Sequence, residues 1–206
     1  MTLRSMLVIG ALLTGLFFAA DTWRARTAPQ RIGSGLALAQ QSFAAEPVQE
    51  PTSARPFPLG AYQVHPVAEF AVRARILGRE DYRLGREAEL SPMDLALGWK
   101  RMTEPAVYQA LHITQGGRWY RYSWPDRPPI PPDEIIATSS NMHMIPANPA
   151  VRQALEQARA GRYIRLQGKL VNITHPSGWR WNSSLSRTDS GAGACELVYV
   201  EAAWVE

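Results

Sequence analysis

Fifteen consecutive apolar or small residues, Met6 to Ala20, set the N-terminus of this 206-residue chain apart from everything that follows. At about 1.5 Å per residue the run rises roughly 22 Å, short of the ~30 Å hydrocarbon core of a bilayer. Trp23 and Arg24 follow it closely, and extend its reach by interfacial anchoring and snorkelling. A cleavable signal needs small residues at fixed places just behind the apolar run. Phe17 and Phe18 fall on the outer of those places for cuts after Ala19 and Ala20, and the Ala37-Leu38-Ala39 triplet comes too late. An uncleaved signal-anchor, one transmembrane helix within residues 1–23, is therefore expected. Its orientation is contested by the charges. Arg24, Arg26 and Arg31 outnumber Arg4 and oppose translocation, whereas the very short basic tail before the run favours it, as in signal sequences. The following domain is expected on the far side of the membrane.

Residues 24–56 read as a flexible linker rich in Pro, Ala and Gln, which cannot bury enough apolar surface to order itself. Beyond it, residues 57–206 suit one globular domain. The hydrophobic fraction of 46% against 19% charged places the chain among folded proteins. Charges in the domain alternate in sign and nearly balance, with no basic block, so nucleic acid is not an expected partner. Cys195 is the only cysteine, which excludes an intrachain disulfide and multi-cysteine metal sites. His65, His112, His143 and His175 lack metal-ligand spacing, and no metal or cofactor is expected.

Periodicity divides the domain into short elements. Phe70, Val72, Ala74 and Ile76 alternate as one face of a strand. Ser91-Pro92-Met93-Asp94 carries the signature of a helix start, with Ser91 as N-cap and Gly98 as the stop. Thr103 caps a second short helix through Val107 and Leu111. Gly116-Gly117 turns the chain into a strand over Trp119–Trp124, with Tyr120, Tyr122 and Trp124 on one side. That side is either an aromatic core face or a platform on which bases or sugars stack. Asn148 and Pro149 start the clearest helix, which Gly161 ends. Tyr163–Val171 then alternates with Ile164, Leu166, Gly168 and Leu170 inward, and Trp179–Leu185 and Cys195–Val200 supply further strands. The expected class is α+β: a β-rich domain with several short helices and a C-terminal meander or partial barrel that resembles the OB type.

Two polar stretches could carry chemistry, Ser139–Pro146 and Ser183–Glu196. His143 with Cys195 would make a thiolate–imidazole pair, and Ser183 or Ser184 with His143 and Asp189 a hydroxyl triad. No nucleophile-elbow motif surrounds them. A lone Cys that begins an apolar strand is also the pattern of a small buried hydrophobe. Asn141, Arg187, Gly191, Gly193 and Glu196 are the candidate ligand-binding residues, the glycines because they let a loop approach a ligand closely.

The stretches Glu89–Trp99, Ser140–Asn148 and Trp179–Glu196 resemble a family of uncharacterised bacterial proteins, small and membrane-anchored at the N-terminus. The likeness spans Tyr62 to Val200 and implies no activity. With it, the expectation is a membrane-tethered, non-enzymatic domain facing the periplasm from the inner membrane, which binds a ligand or helps assemble an envelope protein partner. The alternatives are a hydrolase-type enzyme using His143 with Ser183, Ser184 or Cys195 and Asp189, and an OB-like binder of nucleic acid or glycan.

Overall fold

The computed structural model describes residues 45–189, 191 and 193–206. The expected signal-anchor and most of the expected linker lie outside the described residues. No helix among the described residues is long and apolar enough to cross a membrane.

Alternation of apolar and polar side chains builds the sheet. Short strands β1 (Val48–Glu50) and β2 (Phe57–Leu59) precede β3 (Tyr62–Asp81), which is twenty residues long. After β3 come helix α1 (Arg86–Leu90) and strand β4 (Met93–Gly98). A single 3₁₀ turn and helix α2 (Pro105–Tyr108) lead to the hairpin β5 (Thr114–Gly116) and β6 (Trp119–Arg121). Helix α3 (Pro132–Thr138) runs directly into β7 (Ser139–Pro146), and α4 (Pro149–Glu156) precedes β8 (Tyr163–Thr174). Strands β9 (Arg180–Asn182) and β10 (Glu196–Val205) complete the chain. The domain is α+β and β-rich, as its periodicity leads one to expect.

Strand β3, bulged at Pro66/Ala68 and Ile76/Gly78, pairs with β8 along Gln63–Arg75 and with β4 along Arg75–Asp81, and takes β1 and β2 as short additional partners. From there the pairing runs β4 to β7, β7 to β10, β10 to β8, and back to β3, so five strands close into a ring. All pairs are antiparallel except β7 with β10. Inside lie alternate residues of each strand, among them Phe70, Val72, Leu95, Met142, Leu166 and Val198. Helix α4 covers the same core with Val151, Leu155 and Ala158. Gly168 marks the tightest point, since a Cβ there would stand 2.0 Å from the Tyr199 carbonyl oxygen. No other residue fits that crossing.

Several expected elements differ. Ser91–Asp94 does not open a helix. Met93, Leu95 and Leu97 point alternately into the core from β4, which is hydrogen-bonded on both sides, and that period-two burial overrides the capping signature. Ser91 instead ends α1, its N–H donating to Glu87 O at 2.8 Å. Glu104, not Thr103, occupies the N-cap of α2. The strand expected over Trp119–Trp124 stops at Arg121, and that over Trp179–Leu185 is reduced to Arg180–Asn182. Asn148 caps α4 as expected, accepting from Val151 N at 3.0 Å, but Gly161 does not end it. The helix closes at Glu156, where Arg79 donates to the carbonyls of Glu156 (2.9 Å) and Ala158 (3.0 Å). Gly161, at φ +85, leads into β8 and donates to Ile76 O at 2.8 Å. Within the segment read as linker, Val48–Glu50 pair with Glu69–Ala71 of β3.

Candidate functional site

The outer face of β4 and β7 breaks the apolar rule of the strands. Asp94 and His143 are direct cross-strand partners there, and Ala96 faces Asn141 one pair along. Asp94 is wholly buried and His143 is 5% exposed. Burying a carboxylate is costly unless it is fully bonded, and this one is. Asp94 Oδ1 accepts from Arg118 Nη1 at 2.6 Å and lies 2.8 Å from His143 Nδ1, while Oδ2 accepts from Asn141 Nδ2 at 3.2 Å.

Arg118 comes from the tip of the β5–β6 hairpin. Gly117 and Arg118 both have positive φ (59° and 69°), which matches the twist of a two-residue hairpin turn but strains any residue other than glycine. The strain is offset by what the side chain reaches. Arg118 Nη2 donates to Ser91 O at 2.8 Å, its guanidinium lies 3.8 Å from the Tyr82 ring centroid, and Nε is 3.7 Å from Glu87. Its backbone N–H donates to the Tyr82 hydroxyl at 2.9 Å. Burial pushes that phenol up to about 12, so it stays neutral. Gln115 Nε2 donates to Asn141 Oδ1 at 2.8 Å, a second tie between hairpin and barrel. Trp181 of β9 covers the cluster, its ring 4.9 Å from that of His143.

Beside this cluster the hairpin and the 183–195 loop enclose a cleft of about 150 Å³. Trp119, Tyr120, Tyr122 and Ile136 line it together with Asp189, Gly191 and Ala194, and Ser139, Ser140, Asn141 and Cys195 complete the lining. Tyr120 and Tyr122 meet at 5.5 Å and an interplanar angle of 48°, while Tyr122 stacks on Trp124 at 6.3 Å. All three pack against a core cluster containing Leu77, Val107 and Ile135, so their row is an aromatic core face whose edge also lines the cleft. Burial raises the Tyr120 hydroxyl well above the ordinary phenol value.

The candidate catalytic residues are distributed between separate bonds. His143 is held by Asp94, and among the described residues no hydrogen bond joins it to Ser183, Ser184, Asp189 or Cys195. Ser184 Oγ donates to Asp189 Oδ2 at 2.6 Å, and Ser183 Oγ donates to Ser184 O and accepts from Leu197 N. Cys195 Sγ lies 3.8 Å from both Asn141 Nδ2 and Arg118 O, and burial pushes its thiol up to about 11. Of the candidate ligand residues, Asn141 and Gly191 line the cleft, and Gly193 is an exposed turn residue at φ +88. Arg187 and Glu196 pair instead with one another, Glu196 also accepting from Ser140 Oγ. Arg187 donates to Gln49 Oε1 at 2.7 Å, and Gln49 Nε2 donates to Leu185 O at 3.1 Å, so the loop is fastened to β1.

Sequence reasoning missed Asp94, Arg118, Ser91 and Trp119. Asp94 is the one charge in the apolar run Met93–Leu97, a signal masked because the same residues fit a helix start. Arg118 carried no such signal, because its role depends on a turn that brings it over two distant strands. Comparison with known proteins returns no similar family model, no similar curated protein and no similar solved structure.

Proposed function

We propose that the chain is a membrane-tethered, non-catalytic binding domain whose barrel is of the OB type. Numbering the ring strands by chain order gives 1-2-3-5-4 and back to 1, with 3 and 5 parallel. In OB barrels the face of strands 2 and 3, with its flanking loops, takes the ligand. Those strands are β4 and β7 here. The observation that carries the reading is the cleft beside this face, lined by both aromatic rings and polar groups. The anchor in residues 1–23, the periplasmic position and an envelope protein as partner complete the proposal. They rest on the apolar run and on the resemblance described above.

Binding is favoured over hydrolysis by the states of the nucleophile candidates. A thiol near 11 is protonated at neutral pH, and Ser184 is bonded to the Asp189 carboxylate rather than to an imidazole. One observation favours the hydrolytic alternative: a carboxylate on His143 Nδ1 is how a general base is oriented. Two measurements decide. A photo-crosslinking residue in place of Trp119 in living cells is expected to capture one discrete envelope species, and the same residue in place of Glu69 none. Iodoacetamide is expected to label Cys195 at neutral pH far more slowly than a free thiol, the rate climbing until pH approaches about 11. Turnover trapped by a fluorophosphonate at Ser183 or Ser184 would overturn the reading. A phosphatase reporter fused to the C-terminus tests the compartment, with activity expected only if the domain lies outside the cytoplasm.

A further inference from the structure

We infer that the group received by the cleft is an organic cation, an ammonium or guanidinium at the end of a flexible stem. The inference rests on reading the cleft as a binding site and adds to it the chemistry selected.

Size comes first. At about 150 Å³ the cleft lies below the ~300–1,000 Å³ of pockets that engulf whole small molecules. It suits a terminal group rather than a nucleotide. Charge comes second. The lining contains a carboxylate, Asp189, and no Lys or Arg. Three arginines lie nearby: Arg118 is paired with Asp94, Arg187 with Glu196, and Arg121 sits over the Trp119 ring. Asp189 receives the Ser184 hydroxyl on Oδ2, and among the described residues no Lys, Arg or His nitrogen pairs with it. An entering anion would meet that carboxylate in the lining itself. A neutral apolar group would bury part of that carboxylate's hydration without return.

The aromatic rings of the lining supply the other half. Ring faces carry negative potential and attract cations within about 6 Å. The exposed Trp119 ring already does this from within the chain, with the Arg121 guanidinium 5.7 Å from its centroid. Tyr120 and Tyr122, tilted at 48°, meet at a corner rather than a flat stack. Aromatic rings and a carboxylate without a cationic partner in one lining are the combination that favours an alkylammonium or guanidinium.

The test uses the full chain in detergent micelles at low salt, read by nitrogen–proton NMR at the Trp119 indole and the Gly191 amide. The probes are N-acetyl-lysine methylamide and putrescine, standing for a polypeptide and a free amine as the source of the cation. N-acetyl-norleucine methylamide is the neutral control and butyrate the anion. Either cation is expected to shift both resonances saturably, with the norleucine compound at least tenfold weaker and butyrate without effect. Asp189→Asn keeps an acceptor for Ser184 and is expected to weaken the cation about tenfold, while Tyr122→Ala weakens it several-fold. If the norleucine compound binds as well as the lysine compound at the same resonances, the cleft is a binding site but charge is not what it selects. If no probe shifts either resonance, the cleft reading fails and the cation with it.

Discussion

Asp94 joins β4, β7 and the β5–β6 hairpin through a single carboxylate with three donors. Removing one member of a buried ion pair leaves its partner without compensation, which typically costs about 3–5 kcal/mol. Asp94→Ala is therefore expected to lose about that much stability in urea unfolding, and Asp94→Asn less, because the amide oxygen still accepts from Arg118. Glu196 provides a pH signature of the opposite kind from a surface carboxylate. Burial holds its carboxyl above the ordinary 4.5, so the folded chain binds this proton more tightly than the unfolded one. Its contribution to stability is then fully present below pH 4.5 and is lost as pH rises through the higher folded value. Glu196→Gln removes the proton, so the stability of the variant relative to the wild type should improve from pH 4.5 to pH 7 in paired urea titrations. His143 was legible as unusual because it interrupts Met142 and Met144. Its partner was not, since Asp94 also fits a helix cap and only the strand pairing distinguishes the two.

At the level of elements, local signals succeeded where they were strong and continuous. The alternation of β8 and the Asn148-Pro149 start of α4 both appear as read, because each is decided by neighbours within a few residues. Asn148→Ala is expected to cost about 1 kcal/mol, the usual value of a lost N-cap, measured as a shift in the urea midpoint with unchanged slope. Gly168→Ala should cost more, about 3 kcal/mol or above, because its methyl would overlap a backbone oxygen that the barrel cannot move without shifting β10. The failures share one cause. The Ser91–Asp94 signature is local, while the burial that makes β4 a strand comes from β3 and β7 on either side. Hairpin β5–β6 shows the same dependence: two short strands become part of a cleft's lining because Arg118 and Gln115 bind residues of the ring.

For the whole molecule, the segment leading into the barrel is part of the site's support. Gln49 fastens the 183–195 loop to β1, and Thr52 bonds to Glu69 of β3. A chain beginning at residue 57 would lose these ties and the three-residue strand β1. It is expected to lose about 2 kcal/mol, roughly 4–8 °C in Tm for a domain of this size, with the larger effect on protection of the loop in hydrogen exchange. A chain beginning at residue 45 should keep both. The ring itself has a consequence in time. Its closing seam joins Gln63–Arg75 to Tyr163–Thr174, strands separated by about 100 residues, which a ribosome adds in roughly 5–20 s. Throughout that interval the edge of β3 that takes β8 has no partner, and Gly168 has not yet arrived at the one crossing only it can fill. Strands β3, β4 and β7 can pair before then, but the ring cannot close until β8 and β10 have been made, so the closed barrel forms only from an almost complete chain.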